Sequence, residues 1–346
     1  MATAVTEQGQ PDDAAPSAGA RRGVLPPRSS LLTLLVGVAV YTVFGLYVAK
    51  TGNGYHQTVL ALGLSNVVLA VGFSIVYTQS GQFSFATFGF YAVGGFAYAW
   101  FAKHVAPELA MVLATVMAGF VGLVVRLATA RLSRLYFAIA SLAVGALILI
   151  VFNNWHGVSG GSQGIGPVKA MTFGLVDRHH HAALVLEVAW VVSAAAVLVT
   201  GLLYRSAWSR DLLIVRDMRL VGRNDGIPVR RREIEAFVVG AALTGLAGAL
   251  LADTNVFISV DSFGVTVALQ ALIMVVLGGG GGVLGPIIGA AVLTELPELL
   301  RSAAKWSGLV YGILLLVVFI VLPEGVMGLW DKAAAKVGLT RRQERR

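Results

Sequence analysis

The stretch LYFAIASLAVGALILIVF at residues 135–152 holds no charged side chain in 18 positions. An α-helix needs about 20 mostly apolar residues to cross the hydrocarbon core of a bilayer. A run of this length and composition therefore indicates a membrane-spanning helix. Similar runs recur along most of the chain, so this pattern decides the fold class.

The composition of the whole chain is that of a membrane protein. Of its 346 residues, 57% are hydrophobic and only 13% are charged, whereas soluble domains carry about 25% charged residues. The net charge is +8, but the basic residues lie between apolar runs rather than on one face, which argues against nucleic-acid binding. The chain has no cysteine. These values exclude a soluble enzyme, a disordered protein and a disulfide scaffold.

The apolar runs predict an all-α, polytopic transmembrane helical bundle of about ten spans within residues 31–325. Residues 1–30 are expected to form a disordered cytoplasmic tail, and residues 326–346 a basic cytoplasmic tail. The predicted spans are 31–49, 57–78, 83–101, 109–128, 135–152, 183–203, 234–252, 265–280, 284–300 and 307–322.

The Lys and Arg residues predict the topology. With the N-terminus inside, 20 of the 26 basic residues fall on the cytoplasmic side and 6 outside, as the positive-inside rule requires. Both termini are then cytoplasmic in a multi-pass plasma-membrane protein. Two connections are long: residues 153–182 outside, and residues 204–233, with eight Arg, inside.

The inner connection contains a predicted helix over residues 210–225, with Gly226 as its stop and Pro228 as a breaker. Two interpretations stay open: docking of a cytoplasmic partner, or anchoring to anionic lipid. The helix would have an apolar side formed by Leu213, Ile214, Leu220 and Val221, and a basic side formed by Arg216, Arg219 and Arg223.

Two breaks interrupt the apolar runs: SGQFSF at residues 80–85 and the five-glycine run at 278–282. Such breaks can line a cavity, or they can serve close helix packing and interhelical hydrogen bonds. The glycine run is not a phosphate-binding loop, because no Lys-Ser or Lys-Thr follows it. No span carries an ionisable residue near its middle, which argues against proton coupling.

The chain resembles the branched-chain amino-acid ABC permease family, in its M-type subunit. The matching stretches are GLSNVVLAVGFSIVYTQSGQFSF (63–85), residues 136–165, the inner connection and residues 259–301, in the family's order across residues 55–325. The strongest matches within them are the NNW…GG…GI pattern (153–165) and LGGGGGVLGPIIGA (277–290). The resemblance implies a membrane-spanning permease subunit of an ATP-binding-cassette importer that carries branched-chain amino acids. The chain itself is not expected to be an enzyme or to hold a cofactor, since ATP would be used by a separate ATPase subunit. No metal is expected either.

The partners implied are cytoplasmic ABC ATPase subunits, a second homologous permease subunit, an extracytoplasmic substrate-binding protein, the small-molecule substrate and membrane lipid, without nucleic acid. We call residues 204–233 the coupling loop, because the resemblance assigns ATPase coupling to Arg216, Asp217, Arg219, Leu220, Val221, Gly222, Arg223, Gly226 and Ile227. It assigns the translocation path to Gln79, Ser80, Gly81, Gln82, Ser84, Gly278, Gly279, Gly281 and Gly282. Contact with the binding protein falls on Asn154, Trp155, Ser159, Gly160 and Gly161.

The chain departs from the family pattern in the coupling loop, where basic residues such as Arg219 and Arg223 replace the usual acidic ones. This puts the usual ATPase docking pairs in doubt. Two alternatives also stay open: an ABC permease for urea, short amides or other small acids, and a facilitator or channel that works without ATP.

Overall fold

The computed structural model describes residues 54–171, 181–279, 282–299 and Gly312, and its regular structure there is helical apart from one antiparallel bridge between Ile165 and Ile258. The helices are α1 (Gly54–Ser74), α2 (Thr87–Phe101), α3 (Pro107–Ala128), α4 (Arg134–Asn154), α5 (His156–Ser159), α6 (His181–Arg205), α7 (Ala207–Asp217), α8 (Arg219–Asn224), α9 (Val229–Thr254), α10 (Val265–Gly278) and α11 (Leu284–Leu299). A π-helical turn, Ile75–Gln79, extends α1.

The all-α membrane bundle predicted from the sequence is confirmed. Within the described ranges, six segments are long and apolar enough to cross a membrane: Gly54–Gln79, Pro107–Ala128, Arg134–Asn154, Ala183–Arg205, Val229–Thr254 and Val260–Gly278. The predicted spans 31–49 and 307–322, and both tails, lie outside the described residues. The count of about ten spans and the side of the termini stay predictions.

The segment 284–300 corresponds to α11, which is described as far as Leu299. The predicted span 83–101 corresponds to a shorter helix. It becomes helical only at Thr87, because residues 81–86 leave the helical conformation, and α2 then has 15 residues. At 1.5 Å per residue α2 is about 23 Å long, less than the hydrocarbon thickness of about 30 Å. The burial of 13 of the 15 residues of α2 within the bundle fits this short length.

Helix α9 is the centre of the bundle and packs against α1, α2 and α3. Glycine makes the close crossings possible: a Cβ atom on Gly94 of α2 would lie 1.9 Å from the carbonyl oxygen of Gly245. A Cβ atom on Gly248 would lie equally close, 1.9 Å, to the Tyr91 carbonyl oxygen. Membrane helices associate through such small-residue contacts, because lipid gives no hydrophobic driving force between them.

Helices α10 and α11 form a second close pair that packs against α1. A Cβ atom on Gly278 would lie 1.8 Å from the Gly285 carbonyl oxygen, and one on Gly289 would lie 1.8 Å from that of Met274. The chain turns between the helices at Gly279, whose φ of +89° is a conformation that other residues rarely adopt. Part of the glycine-rich stretch is therefore used for helix packing.

The loops between the helices form two groups at opposite ends of the bundle, and hydrogen bonds link the loops within each group. At one end, the coupling loop contacts the end of α1 and the start of α4. At the other end, residues 165–168 pair with residues 256–258. The positive-inside count predicted that the members of each group share a side of the membrane, and the grouping agrees with it.

Candidate coupling site

The coupling loop contains two helices rather than the single helix predicted over residues 210–225. Helix α7 ends at Met218, whose amide donates to the Ile214 carbonyl at 2.8 Å and whose φ of −138° and ψ of 70° are not helical. The predicted unbroken helix was therefore wrong. The predicted stop is confirmed: α8 ends before Gly226, which has a φ of +75°.

The inward face of α7 also differs from the prediction. Ser209, Leu212 and Val215 are buried, whereas Ile214 is exposed and Leu213 half-buried. These buried residues are spaced three apart, so they form one helical face, and that face is turned toward the end of α1. The predicted apolar side of the loop was therefore misplaced along α7.

Helix α7 forms direct hydrogen bonds with the π turn of α1. The Ser209 hydroxyl donates to Oε1 of Gln79 at 2.8 Å. The Arg216 guanidinium donates to the Thr78 carbonyl oxygen. A side chain at Gly81, where φ is +65°, would lie 2.8 Å from Cγ of Arg216. The structure thus brings the predicted coupling residue Arg216 against the predicted path residues Gln79 and Gly81.

The polar break, residues 79–86, alternates between buried and half-buried positions and is held by its own hydrogen bonds. The Ser80 amide donates to the Ile75 carbonyl at 3.2 Å, five residues back, which closes the π turn. Its hydroxyl donates to the Val76 carbonyl at 2.8 Å and accepts from Nε2 of Gln82 at 3.0 Å. The Ser84 hydroxyl accepts from the Ala86 amide at 3.2 Å. π turns inside α-helices occur frequently at functional sites.

A buried ion cluster joins the polar break to the coupling loop. Oε2 of Glu233, at the start of α9, accepts from Nη2 of Arg126 at 3.0 Å and from Nη2 of Arg219 at 3.2 Å. The Glu233 carbonyl accepts from Nε2 of Gln82 at 3.2 Å. The Phe137 ring lies 5.0 Å from Cζ of Arg126, a favourable cation–π position.

The sequence interpretation missed both Arg126 and Glu233. Arg126 was counted only among the cytoplasmic basic residues and Glu233 was not considered, yet both side chains are almost completely buried. A signal for this pair was present in the sequence. Arg126 and Glu233 have opposite charges and lie near the same end of two apolar segments, and a buried charge needs a partner.

The predicted coupling residues fall into two groups. Arg216 and Arg219 contact the membrane domain, and Gly222 is buried against α7. The side chains exposed at the tip of the loop include Leu220, at 75%, and Val221, at 44%. Asp217, Arg223 and Gly226 are exposed and Ile227 is half-buried. The outer side of α8 is therefore an exposed apolar surface beside charges.

The second set of predicted path residues lies apart from this cluster. Gly278 and Gly279 are buried at the turn between α10 and α11, and no heavy atom lies within 4 Å of a Cβ atom built on Gly282. Gly281 lies outside the described residues. The structure gives Gly278 a packing contact, and its place on the path stays a prediction.

The predicted binding-protein contacts also divide. Asn154 and Trp155 are exposed, whereas Ser159 and Gly161 are buried. The Ser159 hydroxyl donates to the Trp155 carbonyl at 2.9 Å and accepts from the Gly161 amide at 3.2 Å. Gly160 has a φ of +74°. Ser159 and the two glycines therefore shape the turn, and Asn154 and Trp155 form its surface.

Asp253, at the end of α9, holds the outer loop (residues 153–171). Its Oδ1 accepts hydrogen bonds from the Met171 amide at 2.7 Å and from the Tyr98 hydroxyl. The Tyr98 hydroxyl also lies 3.1 Å from the Lys169 carbonyl oxygen. The sequence interpretation placed Asp253 near a span end and did not connect it to this loop.

Residues 55–322 match the family described as "Branched-chain amino acid transport system / permease component". This match covers well over half of the chain and all the described helices except the first residue of α1. The chain belongs to this family. The resemblance stated from the sequence is therefore confirmed, and the chain is a multi-pass membrane permease component.

Relatives of this permease include two permease proteins of high-affinity branched-chain amino acid transport and one of autoinducer 2 import. It is 27% identical over 317 residues to the high-affinity branched-chain amino acid transport system permease protein LivM of Escherichia coli K12, covering 85% of this chain and 74% of LivM. It is 28% identical over 295 residues to LivH of the same strain, covering 78% of this chain and 93% of LivH. The autoinducer 2 import system permease protein LsrC of Klebsiella pneumoniae is 30% identical over 141 residues, 38% of this chain and 41% of LsrC. No solved structure matches the chain.

Proposed function

We propose that this permease is the membrane subunit of an ATP-binding-cassette importer and carries branched-chain amino acids into the cell. Family membership and the names of the LivM and LivH relatives support this proposal. The amino-acid sequence contains no nucleotide-binding motif. ATP hydrolysis would therefore come from separate cytoplasmic subunits.

The contact of α7 with the end of α1 carries the proposal. An ATPase that moves the coupling loop would move Ser209 and Arg216, and these residues are bonded to Gln79 and Thr78. The displacement would reach the π turn without an intervening flexible segment. Packed elements of this kind switch between discrete arrangements rather than deforming continuously.

The ATPase would dock on the exposed side of α8. Leu220 and Val221 offer apolar contact area, and Asp217 and Met218 lie beside them on the surface. Exposed apolar side chains next to charges are typical of protein interfaces. A second permease subunit would complete the pathway, and Asn154 and Trp155 would contact the external binding protein.

A branched-chain amino acid is compatible with a pathway whose nearby buried charges, Arg126 and Glu233, already pair with each other. Helix ends and hydroxyl or amide side chains can hold the ammonium and carboxylate groups of a zwitterion. The aliphatic side chain needs only apolar surface. Polar residues of this kind lie in the polar break, where Gln79, Gln82 and Ser84 are buried.

The test is uptake by the intact complex. The tagged chain is purified from its native membrane with its associated subunits and reconstituted into liposomes with the binding protein. We expect uptake of labelled leucine with ATP and none with a non-hydrolysable analogue. Leucine uptake without ATP would overturn the importer proposal in favour of a facilitator. Preferred uptake of urea or acetamide would overturn the assignment of branched-chain amino acids as the substrate.

Docking on α8 is tested with Leu220→Asp. We expect this variant to lose the ATPase during purification, because a carboxylate replaces an exposed apolar contact. Val256→Asp is the matched control, since Val256 is 67% exposed at the opposite end of the bundle. Equal ATPase recovery with both variants would contradict docking on α8.

A further inference from the structure

Five arginines line a groove of about 740 Å³ beside the coupling loop. Its walls are the turn between α3 and α4, the helix α8 and the start of α9. The lining residues that carry the argument are Arg131, Arg219, Arg223, Arg230, Arg231 and Glu235.

The arginines that line the groove outnumber its carboxylates, so the groove carries a net positive charge. Its one carboxylate, Glu235, already accepts from Arg231 at 2.8 Å and from Arg232 at 3.0 Å. Arg219 is bonded to Glu233. Among the described residues, Arg131, Arg223 and Arg230 form no salt bridge. Clustered guanidinium groups repel each other, and an anion bound between them removes that repulsion.

The groove lies where spanning helices leave the membrane. Helix α3 ends at Ala128, α4 begins at Arg134 and α9 begins at Val229. The groove residues are next to these ends in the sequence, so they lie at the level of the lipid headgroups. The coupling loop is on the side that the Lys and Arg residues predict to be cytoplasmic, where anionic lipids concentrate.

An apolar surface adjoins the arginines. Leu127, Leu132, Leu135 and Tyr136 are all exposed, Leu135 at 72% and Tyr136 at 66%. They belong to the end of α3, the turn and the start of α4, which contribute Ala130 and Arg131 to the groove. A ligand with an anionic head and apolar chains matches both surfaces, whereas a soluble anion would use only the arginines.

We propose that this groove binds the phosphate of an anionic phospholipid headgroup from the cytoplasmic leaflet, with the acyl chains along the start of α4. Guanidinium groups bind phosphate oxygens in bidentate pairs, and basic pockets between membrane helices are known headgroup sites. This inference is independent of the transported solute and of the ATPase.

The basic residues of α8 would then contact lipid, while other residues of the same helix contact the ATPase. Arg219 and Arg223 are four residues apart and therefore share one side of α8, and both line the groove. Leu220 and Val221 remain exposed for a protein partner. A bound headgroup would hold α8 against α9 and the turn between α3 and α4.

The test measures lipid retained by the purified permease. The protein is reconstituted in nanodiscs that contain phosphatidylcholine and phosphatidylglycerol, extracted gently and weighed by native mass spectrometry. We expect phosphatidylglycerol to be retained in preference to phosphatidylcholine. The double variant Arg131→Gln/Arg230→Gln should weaken that preference on the order of tenfold, because each basic residue near an anionic surface contributes to binding.

Arg210→Gln is the matched control, since Arg210 is exposed on α7 and does not line the groove. It should keep the preference. Equal loss with both variants, or no loss with the double variant, would overturn the groove as a site. Displacement of phosphatidylglycerol by equimolar inorganic phosphate would overturn the lipid as its ligand. If the double variant does not fold, Arg131→Gln and Arg230→Gln are compared singly, each with an expected loss of roughly fivefold.

Discussion

The hydroxyl of Ser209 donates a hydrogen bond of 2.8 Å to Oε1 of Gln79, although 130 residues separate them in the sequence. Both side chains are buried. Ser209 lies in the first turn of α7, and Gln79 is the last residue of the π turn of α1. The coupling loop and a membrane helix are therefore in direct contact. The Arg216 guanidinium, which donates to the Thr78 carbonyl oxygen, adds a second hydrogen bond to this contact.

Replacing Glu233 with Gln should destabilise the protein strongly. The change removes the carboxylate shared by Arg126 and Arg219. We expect a loss of about 3–5 kcal/mol in the free energy of unfolding, because Arg126 keeps a buried charge without compensation. The melting temperature of the purified protein in detergent measures the effect.

Asp217→Asn is the control for that change. Asp217 is paired with Arg216 at 3.4 Å, but both side chains are well exposed to solvent. An exposed pair contributes about 0–1 kcal/mol. Similar losses of stability in the two variants would contradict a special role for the buried cluster.

Gly94→Ala should disturb the crossing of α2 and α9. The new Cβ atom would lie 1.9 Å from the Gly245 carbonyl oxygen, so the two backbones must separate. We expect a loss of at least about 1–3 kcal/mol, the usual effect of overpacking a core, seen as a lower melting temperature. Gly157→Ala, which meets no atom closer than 4.0 Å, should leave the melting temperature nearly unchanged. A Gly94→Ala protein as stable as this control would disprove the close crossing.

Asp253→Asn should loosen the outer loop. One carboxylate oxygen, Oδ1, accepts from both the Met171 amide and the Tyr98 hydroxyl, and the uncharged amide oxygen that replaces it is a weaker acceptor. We expect the Met171 amide to exchange with deuterium roughly tenfold faster, since a hydrogen bond to a charged group contributes about 1.5–3 kcal/mol. Asp261→Asn, at an exposed position, is the control. Unchanged exchange in Asp253→Asn would show that this carboxylate does not hold the loop.

The predicted sidedness can be tested directly, because the chain has no cysteine. Single cysteines are introduced at Ser162 in the outer loop and at Asn224 at the end of α8, both exposed. A membrane-impermeant maleimide added to spheroplasts should label S162C, and should label N224C only after permeabilisation. The reverse pattern would contradict the topology derived from the Lys and Arg residues.

Local patterns predicted the elements of the fold well. The apolar runs located the helices, and Gly226 marked the end of α8 because its φ of +75° suits glycine. The family resemblance, read from the breaks and loops, was also confirmed. These features depend on residues that are neighbours in the sequence.

Features that depend on distant residues were not predicted. No glycine or proline lies next to Met218, so no strong local signal marks the break between α7 and α8. Arg216 and Arg219, on either side of Met218, contact Thr78 and Glu233, which belong to other elements. Likewise, Ser159 was predicted as a surface contact, but its hydroxyl bonds within the turn required it to be buried.

We propose that the coupling loop drives the end of α1 through the hydrogen bond between Ser209 and Gln79. The most direct measurement is the number of leucine molecules transported per ATP hydrolysed by the reconstituted complex carrying Ser209→Ala. Ser206→Ala is the control, since the Ser206 hydroxyl bonds only locally, to the Leu203 carbonyl at 2.6 Å. We predict that Ser209→Ala keeps ATP hydrolysis near the wild-type rate while the ratio falls roughly fivefold to tenfold, the scale of a coupling free energy of about 1 kcal/mol. A ratio equal to that of the control would show that this hydrogen bond does not couple the loop to α1.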